Sequence, residues 1–404
     1  LRTLTLCSNL LKTVYEDLWS DALNYGTPLR AKLMQMRKPA SAQTVTFPVK
    51  YALVQSGGAR GDNEDLPTPG SSKEYPSSYS MKYNYWTVGW TGPAVAATEN
   101  KSAAFANAFT QEMADAQKAF MTDLNRQLFG NGQCQLCLAN GAHSGTLTLT
   151  VDNGISGDTT DGTTRRLYPG MLIDAWTSTT KEIDGAEIST IDSATQATML
   201  SNVTCTDNAI IVRKGNRLAS TYHELTGLAG LIGTSGTVQS IDSSTYTWWQ
   251  SPGTQTTLGA LDHQDMINCC QKVSQKRSDG DMPDLIVTTD GVINSYRETL
   301  EDSVRLDPLN IVGGYQAIGF YCGGREIPMI TDLDCTWGDM WFLSTDQLEV
   351  RELLAMKWDD RWGTEFYPTQ RRDSWEARMV YYSNLMTRAR WAHSKLSGIT
   401  ETTT

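Results

Sequence analysis

The chain has 404 residues, 40% of them apolar and 20% charged, with a formal net charge of −11. That length allows two or three domains with sizeable cores, and the acidic balance excludes a protein that binds a polyanion over its whole surface. No apolar run approaches the roughly 20 residues of a membrane helix, and no signal-peptide pattern opens the chain, so no membrane partner is expected.

Segment 1–43 reverses the overall sign, with Arg2, Lys12, Arg30, Lys32, Arg37 and Lys38 against three acids. A solvated helix face and a basic arm turned toward nucleic acid or an acidic partner both fit. Residues 8–37 look helical in part, with Leu10, Leu11, Val14, Tyr15, Leu18 and Trp19 at helical spacing before Gly26-Thr27-Pro28 interrupts them.

Residues 44–90 read as one long hairpin. Val45, Phe47, Val49, Tyr51 and Leu53 alternate along the first arm, and Tyr79, Met81, Tyr83 and Tyr85 along the return. An eleven-residue arm spans about 36 Å. The polar stretch Gln55–Ser78 between the arms is too long for an ordinary turn. A two-stranded ribbon is marginal alone in water, so its apolar face needs a partner, in this chain or in another copy of it.

A helix is expected over 99–129, with Phe105, Phe109, Met113, Phe120, Leu124 and Leu128 in one stripe and Gly130-Asn131-Gly132 as its stop. From Gly141 to about Gly215 the chain turns rich in Thr, Asp and Gly with short alternating runs, the pattern of a small all-β barrel or sandwich inserted in a larger fold. After 216 the pattern is α+β. A helix ends at Ser278-Asp279-Gly280, a buried strand covers Leu285–Thr289, and a second helix starts at Asp290. Strands follow near Ala317–Tyr321, Glu326–Ile330 and Met340–Leu343, then a long strand over Trp375–Trp391.

Motifs that carry chemistry are not found. The eight cysteines show one CxxC (Cys134, Cys137) and no second pair at zinc spacing. None of the four histidines (143, 223, 263, 393) sits in HExxH or beside GxSxG. Gly227, Gly230 and Gly233 lack the Lys-Ser/Thr of a phosphate loop, and the acids at 158/161 and 279/281/284 suit turns better than a calcium loop. Twelve tryptophans, with Trp248-Trp249 in tandem, suit packing better than a sugar or base platform. No catalytic, cofactor-binding or metal-binding residue is assigned, and an enzyme is not expected.

The order of segments resembles the major capsid protein of tailed double-stranded DNA phages, with the Hong Kong 97-type shell fold. Leu128-Phe129-Gly130-Asn131-Gly132 resembles the end of that family's spine helix. Gly227-Leu228-Ala229-Gly230-Leu231-Ile232, with Ile241-Asp242 and Trp248-Trp249, resembles the entry to its axial domain. Pro283–Thr288 resembles the central strand of that domain, and Tyr381–Ile399 the closing segment. The resemblance implies an α+β chain with an N-terminal arm (1–43), an extended loop (44–93), a peripheral domain with its spine helix (94–140 and 345–404), an all-β insertion domain (141–215) and an axial domain (216–344). It implies self-assembly through hexamers and pentamers into an icosahedral virion shell, built in the host bacterial cytoplasm. Portal, scaffold and possible decoration proteins are the implied partners, with packaged double-stranded DNA enclosed non-specifically. Phe47, Val49, Tyr51, Tyr83 and Tyr85 are then expected at subunit interfaces, and Arg30, Lys32, Arg37 and Lys38 on an arm facing genome or scaffold. An encapsulin-like bacterial shell with protein cargo shares this fold, and an extracellular β-rich binding or adhesin protein using 141–215 is the alternative of another class.

Overall fold

The computed structural model describes residues 27–92, 102–152, 164–256, 258–277, 279–299, 308–310, 316–361, 363–369 and 371–402, with the backbone alone at 102–111, 308–310 and 316–318. The helical spacing over 8–26 lies outside these residues. The Gly26-Thr27-Pro28 interruption starts a helix, Pro28–Met34, because a proline in the first turn has no N–H to satisfy and a φ already suited to the helix.

Strand β22 (Ser374–Thr387) organises the body. One edge pairs antiparallel with β4 (Lys82–Thr91), from Thr91 opposite Ser374 to Lys82 opposite Ser383. The other edge pairs with β20 (Leu348–Trp358) and β21 (Phe366–Pro368). The short β1 (Lys38–Pro39) adds in parallel to β20. Strand β20, like β1, is absent from the sequence expectations. The helix Ser102–Phe129 spans about 42 Å at 1.5 Å per residue. It lays Met113, Phe120, Leu124 and Leu128 into one core with Val88, Met379 and Tyr381 of the sheet.

A six-stranded sheet follows the order β16 (Pro308–Asn310), β17 (Gln316–Cys322), β18 (Arg325–Thr331), β15 (Leu285–Thr288), β19 (Met340–Leu343), β23 (Ser394–Leu396). Its central strand β15 is buried on both faces, which accounts for its unbroken apolar run. Leu285 and Val287 join the body core, whereas Ile286 joins a second core against the helices His263–Lys276 and Asp290–Thr299.

Between the long helix and this sheet the chain forms a closed barrel. Its order is β10 (Ile210–Arg213), β5 (Cys137–Ala139), β6 (His143–Asp152), β9 (Gln196–Cys205), β8 (Thr180–Ser193), β7 (Leu172–Thr177). Leu149, Val151, Ile173, Ile188 and Ile211 belong to one buried cluster, so the barrel encloses a packed core. Arginine side chains moor it to the body: Arg165 Nη2 donates to the Cys335 carbonyl at 2.7 Å and Arg166 Nη2 to that of Asp334 at 3.0 Å.

The glycine series has a packing role. The turn at Gly227 lies against the carbonyl end of the long helix, where an added Cβ would stand 2.3 Å from the Gln127 oxygen, 2.5 Å from that of Gly130 and 2.6 Å from that of Leu128. A phosphate would meet acceptors there, not donors. Gly227→Ala is therefore expected to destabilise the subunit by at least about 1–3 kcal/mol, read as a lowered unfolding midpoint. Gly57→Ala, with nothing within 4 Å of its added Cβ, should leave the midpoint unchanged.

His393 is fully buried. Its Nδ1 accepts the Ser344 N–H at 3.2 Å, so the neutral ring carries its proton on Nε2, 2.9 Å from Thr387 Oγ1. Burial pushes its pKa down to about 3 from 6.5. The neutral ring's contribution is complete above pH 6.5 and is lost as pH falls, because only the unfolded chain takes up the proton until about pH 3. The loss is on the order of 4–5 kcal/mol. Asp332, lifted by burial to about 6, has the opposite sign. The unfolding free energy of His393→Gln, compared with the parent from pH 7 to 3, should lack the histidine's part of the decline.

Candidate assembly surface

The hairpin is shorter than its alternation suggests. Strand β2 (Thr44–Ala52) pairs with β3 (Lys73–Ser80), from Thr44 opposite Ser80 to Lys50 opposite Glu74, and a bulge brings Ala52 opposite Lys73. Residues 73–78, read from sequence as part of the loop, are thus strand. Pro48 faces Pro76 across the ribbon, and neither can donate to a ladder. The ribbon is a two-stranded sheet with no third strand on either outer edge among the described residues.

Its apolar face is covered in part by its own chain, which corrects the expectation that the whole face waits for another copy. Val49 is 4% exposed and packs with Ile241 and Trp249, with Phe47 and Tyr75 against them. Tyr51 stacks on Trp248 with ring centroids 5.1 Å apart and planes 6° from parallel. Tyr75 meets Tyr246 at 4.6 Å, and the Ser78 N–H donates to the Gln239 carbonyl at 2.9 Å. The tandem tryptophans serve here as an aromatic clasp.

Tyr83 and Tyr85 lie on β4, in the body sheet, and not on the return arm. Tyr83 packs edge-on against Tyr382 at 5.0 Å. Tyr85 is 55% exposed, and its hydroxyl donates to that of Tyr382 at 3.2 Å. Desolvation, then that hydrogen bond, raises its pKa to about 12. The misreading has a simple cause: β3 and β4 share the same period-two pattern and are separated by Met81 alone, so the change of partner leaves no mark in the alternation.

The basic arm is corrected too. Arg30 is 3% exposed in the first helix, its guanidinium 5.5 Å from the centre of the Tyr381 ring. Lys38 pairs with Glu349 at 2.5 Å and Arg37 reaches Glu352 at 4.0 Å. Lys32 is half-buried. Arg30 is therefore withdrawn from the exposed arm, whereas Arg37 and Lys38 remain exposed while pairing within the subunit.

What the fold leaves uncovered is the hairpin tip, the irregular segment 53–72. Leu53 is 74% and Leu66 85% exposed, with Val54 also exposed. Isolated exposed leucines are common on monomers, but these stand at the end of a projecting ribbon.

The candidates for chemistry find structural uses. The seven described cysteines are free and buried, and burial pushes the Cys134 thiol up to about 12, the opposite of a reactive thiolate. Asp279 pairs with Arg277 at 2.7 Å, Asp281 with Arg325, and Asp284 accepts the Thr345 N–H at 2.7 Å. His263 is half-buried and stacks on Tyr296. Among the described residues no group of three or more His, Cys, Asp or Glu could hold a metal ion, and no helix is long and apolar enough to cross a membrane.

No family model matches this chain, and no curated protein does. The fold is nevertheless one already seen in solved shells. A chain of the cyanophage A-1(L) capsid asymmetric unit superposes with a TM-score of 0.57 at 13% identity, covering 93% of each chain. The chain therefore shares the fold of that capsid chain. A structure of Mycobacterium phage Bobi (8% identity, 94% and 92% covered, TM-score 0.45) and the holo-SrpI encapsulin of Synechococcus elongatus (10% identity, 92% and 88% covered, TM-score 0.43) are more distantly similar.

The clasp is testable in the isolated subunit. Tyr51→Ala and Trp248→Ala should each speed proteolysis within 53–72 while the body sheet stays folded. A double-mutant cycle on unfolding free energy should return a coupling of about 0.5–1.5 kcal/mol for the stacked pair.

Proposed function

We propose that this protein is the major capsid protein of a tailed double-stranded DNA phage, assembling through hexamers and pentamers into the icosahedral shell that encloses the genome. The observation that carries the reading is the match to a phage capsid chain along 93% of both chains. The projecting tip with its uncovered leucines supports it, since a head-to-tail contact needs a surface on one copy that is completed only by the next.

In this reading 1–43 is the arm and 44–93 the extended loop. The long helix with β20, β21 and β22 forms the peripheral domain (94–140 and 345–404), to whose sheet the arm adds β1 and the loop adds β4. The insertion domain (141–215) closes its barrel with β5, and the axial domain (216–344) has β23 as the edge strand of its sheet. The protein acts as a structural component of the virion, not as an enzyme, after assembly in the bacterial cytoplasm with scaffold and portal proteins. Decoration proteins would add to the finished surface. Its net charge of −11 suits a wall that encloses DNA without clamping it, because phosphate binding grows with the number of cationic contacts.

Electron microscopy of the expressed protein tests this. Closed shells are expected, DNA-filled and with a portal vertex when isolated from infected cells; an enzyme-filled shell without genome overturns the viral reading. Deleting Gly57–Ser71, the irregular tip alone, should leave a subunit with the parent's unfolding midpoint that no longer forms stable shells. Unfolding on deletion would mean that the tip serves its own chain.

A further inference from the structure

A groove of about 570 Å³ lies between the start of β4, the long helix and the segment that joins the barrel to the axial sheet. Tyr83, Tyr85, Trp86 and Tyr222 contribute aromatic walls, and Lys82, Arg213 and Lys214 contribute charge. Two acids also line it, Asp123 and Glu224, but both are buried and committed to Arg126, at 3.2 and 2.5 Å. What faces solvent is therefore cationic, in a chain whose net charge is −11.

Lys82 and Arg213 are poorly compensated, whereas Lys214 lies beside Gly185 and also faces Asp184. Arg213 lies over the Trp86 ring, 4.8 Å from its centre, and reaches the already shared Asp123 only at 3.4 Å. Its Nε is buried with no hydrogen-bond partner. Lys82 donates to the Tyr222 carbonyl at 2.5 Å and has no carboxylate partner among the described residues. Lys214 is exposed. The site is built for an anionic group carried on something apolar.

The hairpin tip has that chemistry. Segment 55–72 carries one cation, Arg60, against Asp62, Glu64 and Asp65, followed by the exposed Leu66. Arg60 Nε is occupied by the Asp65 carbonyl at 2.9 Å, and Glu64 Oε2 accepts the Gly61 N–H at 2.8 Å, so the acids are gathered in a turn. The tip does not reach the groove of its own chain. The groove begins at Met81, next to the hairpin base at Ser80, whereas the nine-residue arm β2 carries the tip about 30 Å away. The clasp of Tyr51 on Trp248 holds the arm near its far end.

We propose that the groove at the base of the hairpin receives the acidic tip, Asp62–Leu66, of a second copy of this chain. The inference rests on the shell-forming reading above and supplies its receptor. The contact is head-to-tail: each copy offers a tip and a groove about one hairpin length apart, and such contacts close into rings when the rotation allows. Opposite charges at this seam speed correct encounter and disfavour wrong register. Association should weaken as salt shortens the Debye length below about 8 Å.

Charge exchange tests it. Lys214→Glu in the groove and the triple reversal Asp62→Lys, Glu64→Lys, Asp65→Lys in the tip should each raise the protein concentration needed for assembly by about tenfold. Each should leave the circular dichroism and unfolding midpoint of the subunit unchanged. Mixing the two variants should restore assembly in part, and combining them in one chain should restore more. A peptide spanning 55–72 should inhibit assembly of the parent protein, and the same peptide with the three lysines should not, which decides the matter even if a variant fails to fold. Normal assembly by both folded variants, no recovery on combination, or an inert parent peptide overturns the groove. If the tip deletion abolishes shells while the charge variants assemble normally, only the groove falls. If the parent protein forms no shells under any condition, the capsid reading falls with it.

Discussion

Everything in this molecule is hung on the pairing of β22 along both its edges. On one side it binds β4, nearly 300 residues earlier in the chain, and on the other β20, its near neighbour. The hairpin enters the body through β4, and the long helix packs its stripe across the sheet these strands form. Pairing so distant in sequence carries a loop-closure cost before any contact rewards it, and the elements packed on the sheet depend on that pairing. Val88, Ala377 and Met379 are buried within it, which ties the hydrogen-bonded ladder to the apolar core.

That arrangement separates a stiff body from a projecting ribbon. Body, axial sheet and barrel are joined by buried polar groups whose partners come from different segments. Arg126 holds Asp123 of its own helix and Glu224 beyond the barrel. Asn125 donates to Asp332 at 2.9 Å and to Asp334 at 2.7 Å, linking the long helix to the axial strands. Removing one member of such a set strands a buried charge or donor, a cost of several kcal/mol. The ribbon, by contrast, is held by aromatic faces and a few backbone hydrogen bonds. In the proposed shell, this contrast would let the packed body set the angle at which the thin ribbon meets its neighbour.

Some of this was legible in the chain itself, and the particular residues show why. The stripe through Met113, Phe120, Leu124 and Leu128 and the apolar run Leu285–Thr288 are local patterns whose period is the signal, and they emerged as helix and buried strand. The hairpin was legible as alternation but not as pairing. Period two continues from Tyr79 to Tyr85, while the partner changes at Met81 from β2 to β22. Arg30 was read as part of an exposed basic arm because composition carries no information on burial. The helix around Arg30 is covered by β20 and β22, and Glu349, which holds Lys38, lies more than 300 residues away.

By itself the sequence determined the long helix, the barrel's short strands, the buried strand at 285–288 and the order of these segments, since each depends on residue type and short-range spacing. Only the tertiary structure decided which strands pair, which half of the hairpin face is covered by Trp248 and Trp249, and that Lys82, Arg213 and Lys214 share one groove. The physical reason is common to all three. Side-chain period sets which face of a strand is apolar, but the surface that covers that face, and the charges gathered beside it, come from residues one or two hundred positions away.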